Sequence, residues 1–148
     1  MNGRVERNAA QGAVGGPGPA RTARARGREA EQIAAGYLRL SGYAVLAENV
    51  RAGAGEIDLI ARRGACLALV EVRWRGTPAQ GRPEETVCRR KWQNWRRAAE
   101  LWLERADLPA PVHLRFDLIA IERDRLGLRL RHLPGWSPPG TQGWRAAR

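Results

Sequence analysis

Along this chain the spacing of apolar residues switches between the three-to-four step of a helix and the two-step of a strand. From about Arg24 to Ser41, Ala30, Ile33, Ala34, Tyr37 and Leu38 recur at three and four, which predicts an amphipathic helix ended by Gly42. Tyr43 to Glu48 predicts a short first strand, and Asn49 to Ala54, rich in small residues, a loop. Gly55 to Arg75 reads as two strands around an Arg63-Gly64 turn. In the first of these, Ile57, Leu59 and Ala61 alternate with Glu56, Asp58 and Ile60. In the second, Leu67, Leu69, Glu71 and Arg73 alternate with Ala68, Val70 and Val72. From about Glu84 to Asp107, apolar positions at Cys88, Trp92, Trp95, Ala99, Trp102 and Ala106 mark one face of a long helix that Pro109 and Pro111 stop. Val112 to Ile121 alternates again, with Leu114, Phe116, Leu118 and Ala120 against Arg115, Asp117, Ile119 and Ile121. After an Asp124-Arg125 turn, Leu126 to His132 makes a last strand.

The order helix, three strands, helix, two strands predicts an α/β (α+β) domain: a mixed sheet of about five strands flanked by two helices. Residues 1–23, rich in Gly, Ala, Pro and Arg, read as a disordered basic arm, 24–136 as the folded domain and 137–148 as a flexible tail. Trp136, at the border, is expected to fold back onto the core.

Charge adds a partner class. The formal net charge is +11 over 148 residues, and Lys91 is the only lysine among 26 basic residues. A coding bias toward Arg accounts for the choice of Arg over Lys but not for the surplus of base over acid. That surplus predicts binding to a polyanion, nucleic acid and DNA foremost. Cys66 and Cys88 have no paired spacing, so neither a zinc site nor a disulfide is expected. No apolar run approaches the ~20 residues of a membrane span and no apolar leader is visible, so the expectation is a cytoplasmic protein with reduced thiols and no membrane partner.

The acids in the apolar strands carry the candidate chemistry. A carboxylate among Leu, Ile and Val is costly to bury unless paired. With the hairpin closed at Arg63-Gly64, Asp58 faces Leu69 and Glu71 lies diagonally beside it on the same face, roughly 7–8 Å away at the backbone. Two carboxylates at that separation can close on one hard cation, Mg²⁺ or Mn²⁺, and Arg73 on the same face can hold a phosphate. On spacing alone, an ordinary strand ion pair between Asp58 and Arg73 or another arginine is the commoner arrangement. Glu29 and Glu31 flank the apolar stripe of the first helix on opposite sides, roughly 100° from its centre, and periodicity does not say which turns toward the sheet.

Gly55-Glu56-Ile57-Asp58-Leu59-Ile60, then Val70-Glu71-Val72-Arg73-Trp74-Arg75, then Arg115-Phe116-Asp117-Leu118, resembles the bacterial UPF0102 (YraN-like) family. That family is similar to the restriction-endonuclease-like fold of the PD-(D/E)XK nucleases and archaeal Holliday junction resolvases. The resemblance runs from about Gly27 to Trp136. It implies a nuclease-like core in which Asp58 is the metal-binding aspartate, Glu71 the second acid, and Glu31 the first-helix glutamate, three before Ala34 and six before Tyr37-Leu38. It thus selects Glu31 over Glu29. It further implies a metal-dependent endonuclease acting on structured DNA in repair or recombination. Arg73 stands where the nuclease motif has lysine, as in some YraN-like members, and an arginine stabilises charge but does not act as a base. Lys91 matches a family lysine early in the long helix; a phosphate contact at the surface is the expectation, with reaching the site to stand in for the missing lysine as the alternative. Dimerisation is an expectation from resolvase analogy.

Arg75, Arg89, Arg90, Lys91, Arg96 and Arg97 are the candidate backbone-gripping cations, with a solvated face as the alternative. The Trp92, Trp95 and Trp102 stripe reads as core rather than a base-stacking platform. Trp74 and Arg75 lie just past the motif, where a substrate strand could pass. Asp117 reads as a structural acid paired with an arginine, and His113 and His132 as solvated or packed. Three function classes follow: a Mg²⁺- or Mn²⁺-dependent nuclease, an inactive DNA-binding relative of one, and an adaptor for an acidic protein partner.

Overall fold

A computed structural model of the chain describes residues 22–76, 87–108 and 113–141. Helix α1 (Ala23–Leu40) starts where the Thr22 hydroxyl accepts the Ala25 N–H. It ends where the Tyr43 N–H turns back to the Leu38 carbonyl across Gly42, whose φ of 84° suits glycine. Strands β1 (Ala44–Ala52), β2 (Gly55–Arg63), β3 (Cys66–Arg75), β4 (His113–Asp124) and β5 (Gly127–Pro134) form one sheet in that order. Only β3 and β4 run parallel, and helix α2 (Arg89–Arg105) lies between them in sequence. The predicted class, a mixed five-stranded sheet with two helices, is the observed one.

The helices cover opposite faces. Ala30, Ala34, Ala35 and Leu38 of α1 pack on Leu59, Ala61, Ala68, Val70, Ile119 and Ile121. Trp92, Trp95, Ala98, Ala99 and Leu103 of α2 pack on Ile57, Ile60, Leu67, Leu69, Leu114 and Phe116. Trp92 and Trp95 meet Phe116 edge-on, and Trp136 folds onto Trp92, so this stripe is core as expected.

Several boundaries differ from the sequence reading. The expected loop at Asn49 is strand: β1 runs on to Ala52, with a register shift between Val45 and Ala47, and Asn49 sits at φ 53°. Pairing with β2 overrides the poor strand propensity of those small and polar residues. Helix α2 starts at Arg89 with Cys88 at its N-cap, not at Glu84, and Cys88 is exposed rather than on the apolar face. Residues 84–86 lie outside the described residues, as does the expected N-terminal arm up to residue 21. The hairpin turns at Gly64-Ala65, pairing Arg63 with Cys66, rather than at Arg63-Gly64. The partner of each β2 residue thereby moves two positions along β3. Ile57 packs with the α2-side core instead of with Leu59 and Ala61, because the β2–β3 ladder ends at Leu59 and Val70.

Candidate functional site

Glu71 follows Leu67 and Leu69 on the face of β3 under α2, so the period of two carries a carboxylate into the core. It is 2% exposed. Two cations meet it on the same oxygen, Oε1: the Arg73 guanidinium at 3.0 Å and the Lys91 ammonium from the first turn of α2. The observed turn puts Asp58 across from Glu71, since continuing the Leu59–Val70 register makes them the next pair. They are opposite rather than diagonal. The ladder does not continue there. Instead the Asp58 Oδ2 accepts the Val72 N–H at 2.7 Å, so the side chain takes the place of a backbone acceptor.

Among the described residues Asp58 makes no ion pair, and Arg73 pairs with Glu71 instead, so the strand pair of Asp58 with Arg73 that spacing favours is not formed. Burial, then the charge of Glu71, with Glu31 adding to it, pushes its carboxyl up to about 7, against the pull of the Val72 N–H and Lys91. Asp58 and Glu71 line a cavity of about 440 Å³ together with Gly55, Glu56, Cys88, Arg90, Lys91, Asn94 and Trp95. Gly55 lets α2 approach: a Cβ there would lie 2.1 Å from the Asn94 carbonyl oxygen.

The structure brings Asp58, Glu71, Arg73 and Lys91 together. Lys91 contacts Glu71, so it stands at the acids and not, as expected, apart from them at the surface. Glu31 acts on Asp58 through its field, but among the described residues no three of His, Cys, Asp or Glu are grouped closely enough to hold a metal. Arg90 lines the cavity and Arg89 is exposed beside it at the start of α2. Arg75 is half-buried at the end of β3, Arg96 is half-buried on α2, and Arg97 is exposed and paired with Glu100 at 3.2 Å. Trp74 packs toward α1, on the face away from the cavity, under the Arg123 guanidinium.

Sequence reasoning missed Cys88 and Asn94. The signal for Asn94 was its place three residues after Lys91 on the same helical face. For Cys88 the signal was its place just ahead of α2, where the Lys91 amide, and then that of Arg90, lower its thiol pKa against a small burial effect. Of the two readings of His132, solvated or packed, the structure shows the packed one: its Nε2 sits 2.8 Å from Asp117 Oδ2 and its Nδ1 3.2 Å from the Tyr37 hydroxyl. Asp117 also accepts two bonds from Arg115 and the Gly135 N–H, so the expected structural pairing with an arginine is present and larger than foreseen.

The segment holding these acids is the one shared with known sequences. Residues 30–121 match the family described as "Uncharacterised protein family UPF0102". The chain belongs to the UPF0102 family. It is 42% identical over 115 residues to a UPF0102 protein of Anaeromyxobacter sp. (strain Fw109-5), covering 78% of this chain and 86% of the relative. A UPF0102 protein of Christiangramia forsetii is 36% identical over 107 residues, covering 72% of this chain and 88% of the relative. The matched region contains Glu31, Asp58, Glu71, Arg73 and Lys91 and stops before β5.

In this UPF0102 chain the donor set suits a hard divalent cation. Mg²⁺ is generally held by one or two carboxylates plus waters and substrate phosphates, a donor set of the kind Asp58 and Glu71 present here. The Arg73 Nε is buried with no hydrogen-bond partner, a donor left over beside the acids.

Proposed function

We propose that the chain is a nucleic-acid-binding, nuclease-like protein, a Mg²⁺- or Mn²⁺-dependent endonuclease on structured DNA in the bacterial cytoplasm. The observation that carries this reading is the juxtaposition of Asp58 and Glu71 on adjacent strands, lining one cavity with Lys91 and Arg90. Asp58 and Glu71 would hold the ion, which when bound supplies an activated water and neutralises charge on the scissile phosphate. Arg73, always charged, holds a phosphate oxygen and takes no proton. Arg90 and Arg89 draw the phosphate backbone to the cavity mouth. In the hydrolysis a water oxygen bonds to phosphorus and gives up a proton to solvent, the bond from phosphorus to the leaving oxygen breaks, and that oxygen takes up a proton from solvent.

A second reading, DNA binding without turnover, is favoured by one feature: Arg73 occupies the lysine position and is paired to Glu71. The test is incubation with branched, single-stranded and duplex DNA in Mg²⁺ or Mn²⁺, alongside Asp58→Ala. Cleavage by the wild type and none by the variant is the expected result. Cleavage unchanged in the variant refutes the site, and binding without cleavage by either protein selects the second reading.

A further inference from the structure

Lys91 stands out on two independent grounds. It is the one lysine among 26 basic residues, and its ammonium lies on a buried carboxylate that an arginine already contacts. Glu71 thus has two cations on Oε1 while its neighbour Asp58 has none among the described residues, an uneven balance that a single ion between the carboxylates would level. Of the two cations, Lys91 is the more exposed, at 40% for its side chain against 26% for Arg73, and sits at the cavity rim. An ammonium is a compact point charge on a flexible four-carbon stem, and withdrawing it breaks no packed guanidinium plane.

Its position on the helix points the same way. The first turn of α2 contains Arg89, Arg90 and Lys91 and no acid. Cations there oppose the positive end of the helix dipole, whereas an anion is favoured.

We propose that Lys91 is a displaceable counter-cation. It neutralises Glu71 while no divalent ion is bound, yields the carboxylate when one binds, and its freed ammonium then contacts a phosphodiester oxygen of nucleic acid. This rests on the reading that Asp58 and Glu71 hold the ion. Divalent-ion binding and nucleic-acid binding are thereby coupled through one side chain.

The test uses the full chain, with Mn²⁺ binding measured by calorimetry for wild type, Lys91→Met, Lys91→Gln and Asp58→Ala. Removing a unit charge next to the ion's place should tighten Mn²⁺ binding about fivefold or more in both Lys91 variants. Binding by the variants where the wild type shows none supports the proposal equally. Binding no tighter in either variant, or absent in all proteins, overturns it. If Asp58→Ala binds Mn²⁺ as the wild type does, the ion lies elsewhere and the site reading falls with the proposal. If Asp58→Ala abolishes binding while the Lys91 variants match the wild type, the site stands and only the counter-cation role fails. A second readout needs no variant at Lys91. Reductive ¹³C-methylation gives a single lysine signal besides the N-terminal amine, and Mg²⁺ should shift it in the wild type and not in Asp58→Ala. A lysine signal unmoved at saturating Mg²⁺ overturns the proposal.

Discussion

Asp58→Asn should stabilise the metal-free protein at neutral and alkaline pH. The carboxyl is pushed up to about 7 from 3.8, first by burial and then by Glu71 and Glu31. At about 1.4 kcal/mol per pKa unit, ionising it in the fold costs up to about 4 kcal/mol. Because the folded pKa is the higher one, the fold binds a proton that the unfolded chain has released. The stabilisation from the protonated acid is complete below about 3.8 and is lost as pH rises to about 7. Asparagine keeps an oxygen for the Val72 N–H and carries no charge. The gap between variant and wild type should therefore be small near pH 4, widen up to pH 7 and stay level above it. Urea unfolding followed by tryptophan fluorescence, in EDTA at several pH values, measures it, since Trp92 and Trp95 are buried. Added Mg²⁺ should then close the gap by stabilising only the wild type, by about 2.7 kcal/mol at a hundredfold excess over Kd. A variant no more stable than wild type at pH 8, or a gap that ignores pH, would refute the account of Asp58.

Gly55→Ala should destabilise the fold by about 1–3 kcal/mol and weaken Mn²⁺ binding, because its Cβ meets the Asn94 carbonyl oxygen at 2.1 Å and α2 must shift. Gly64→Ala, which meets nothing within 4 Å, should cost about 1–2 kcal/mol for its φ of +59° and leave Mn²⁺ binding unchanged, and Mn²⁺ binding weakened equally in the two variants would contradict the close-approach account. Asp117→Ala strips Arg115 and His132 of their shared acceptor and should cost about 3–5 kcal/mol by denaturant unfolding; a loss below 1 kcal/mol would show the network to be dispensable. In duplex binding measured against salt, Arg89→Ala with Arg90→Ala should lower the slope by up to about 0.9 per lost phosphate contact, and an unchanged slope would remove these two from the interface.

Periodicity was enough for both helices, all five strands and the place of Glu71 on the same face of β3 as Leu67 and Leu69. It was not enough for the hairpin register. Arg63-Gly64-Ala65 admits glycine at either turn position, and only the observed φ of +59° at Gly64 with Arg63 opposite Cys66 decides it. That choice moves Asp58 from diagonal to opposite Glu71. The strand at Asn49 to Ala52 was hidden because its residues favour turns, and only a β2 partner makes the extended form worthwhile. Tyr37 and His132 are 95 residues apart, so their contact depends on where α1 crosses the sheet and on the β4–β5 register. The same holds for Lys91, whose place over Glu71 follows from how α2 docks and not from its spacing.

Two aspartates in this one sheet, Asp117 buried and Asp58 half-buried, are held in opposite ways. Asp117 receives four hydrogen bonds, and although burial opposes ionisation, His132, Arg115 and the Gly135 N–H hold its carboxyl below the usual range. It supports the fold above its unfolded pKa, and that support is lost only as pH falls through the lower folded value. Asp58 is the reverse case: among the described residues it has one hydrogen bond and no ion pair, and its charge weakens the fold at neutral pH. Cations are at hand, since Lys91 and Arg73 stand beside it, yet both contact Glu71. A cluster that served only stability would gain from an apolar or amide residue at position 58, because an uncompensated buried acid is a net cost. Stability therefore does not explain Asp58, whereas the proposed divalent ion shared with Glu71 would: it would turn the raised carboxyl into a ligand and leave the Lys91 ammonium free for phosphate.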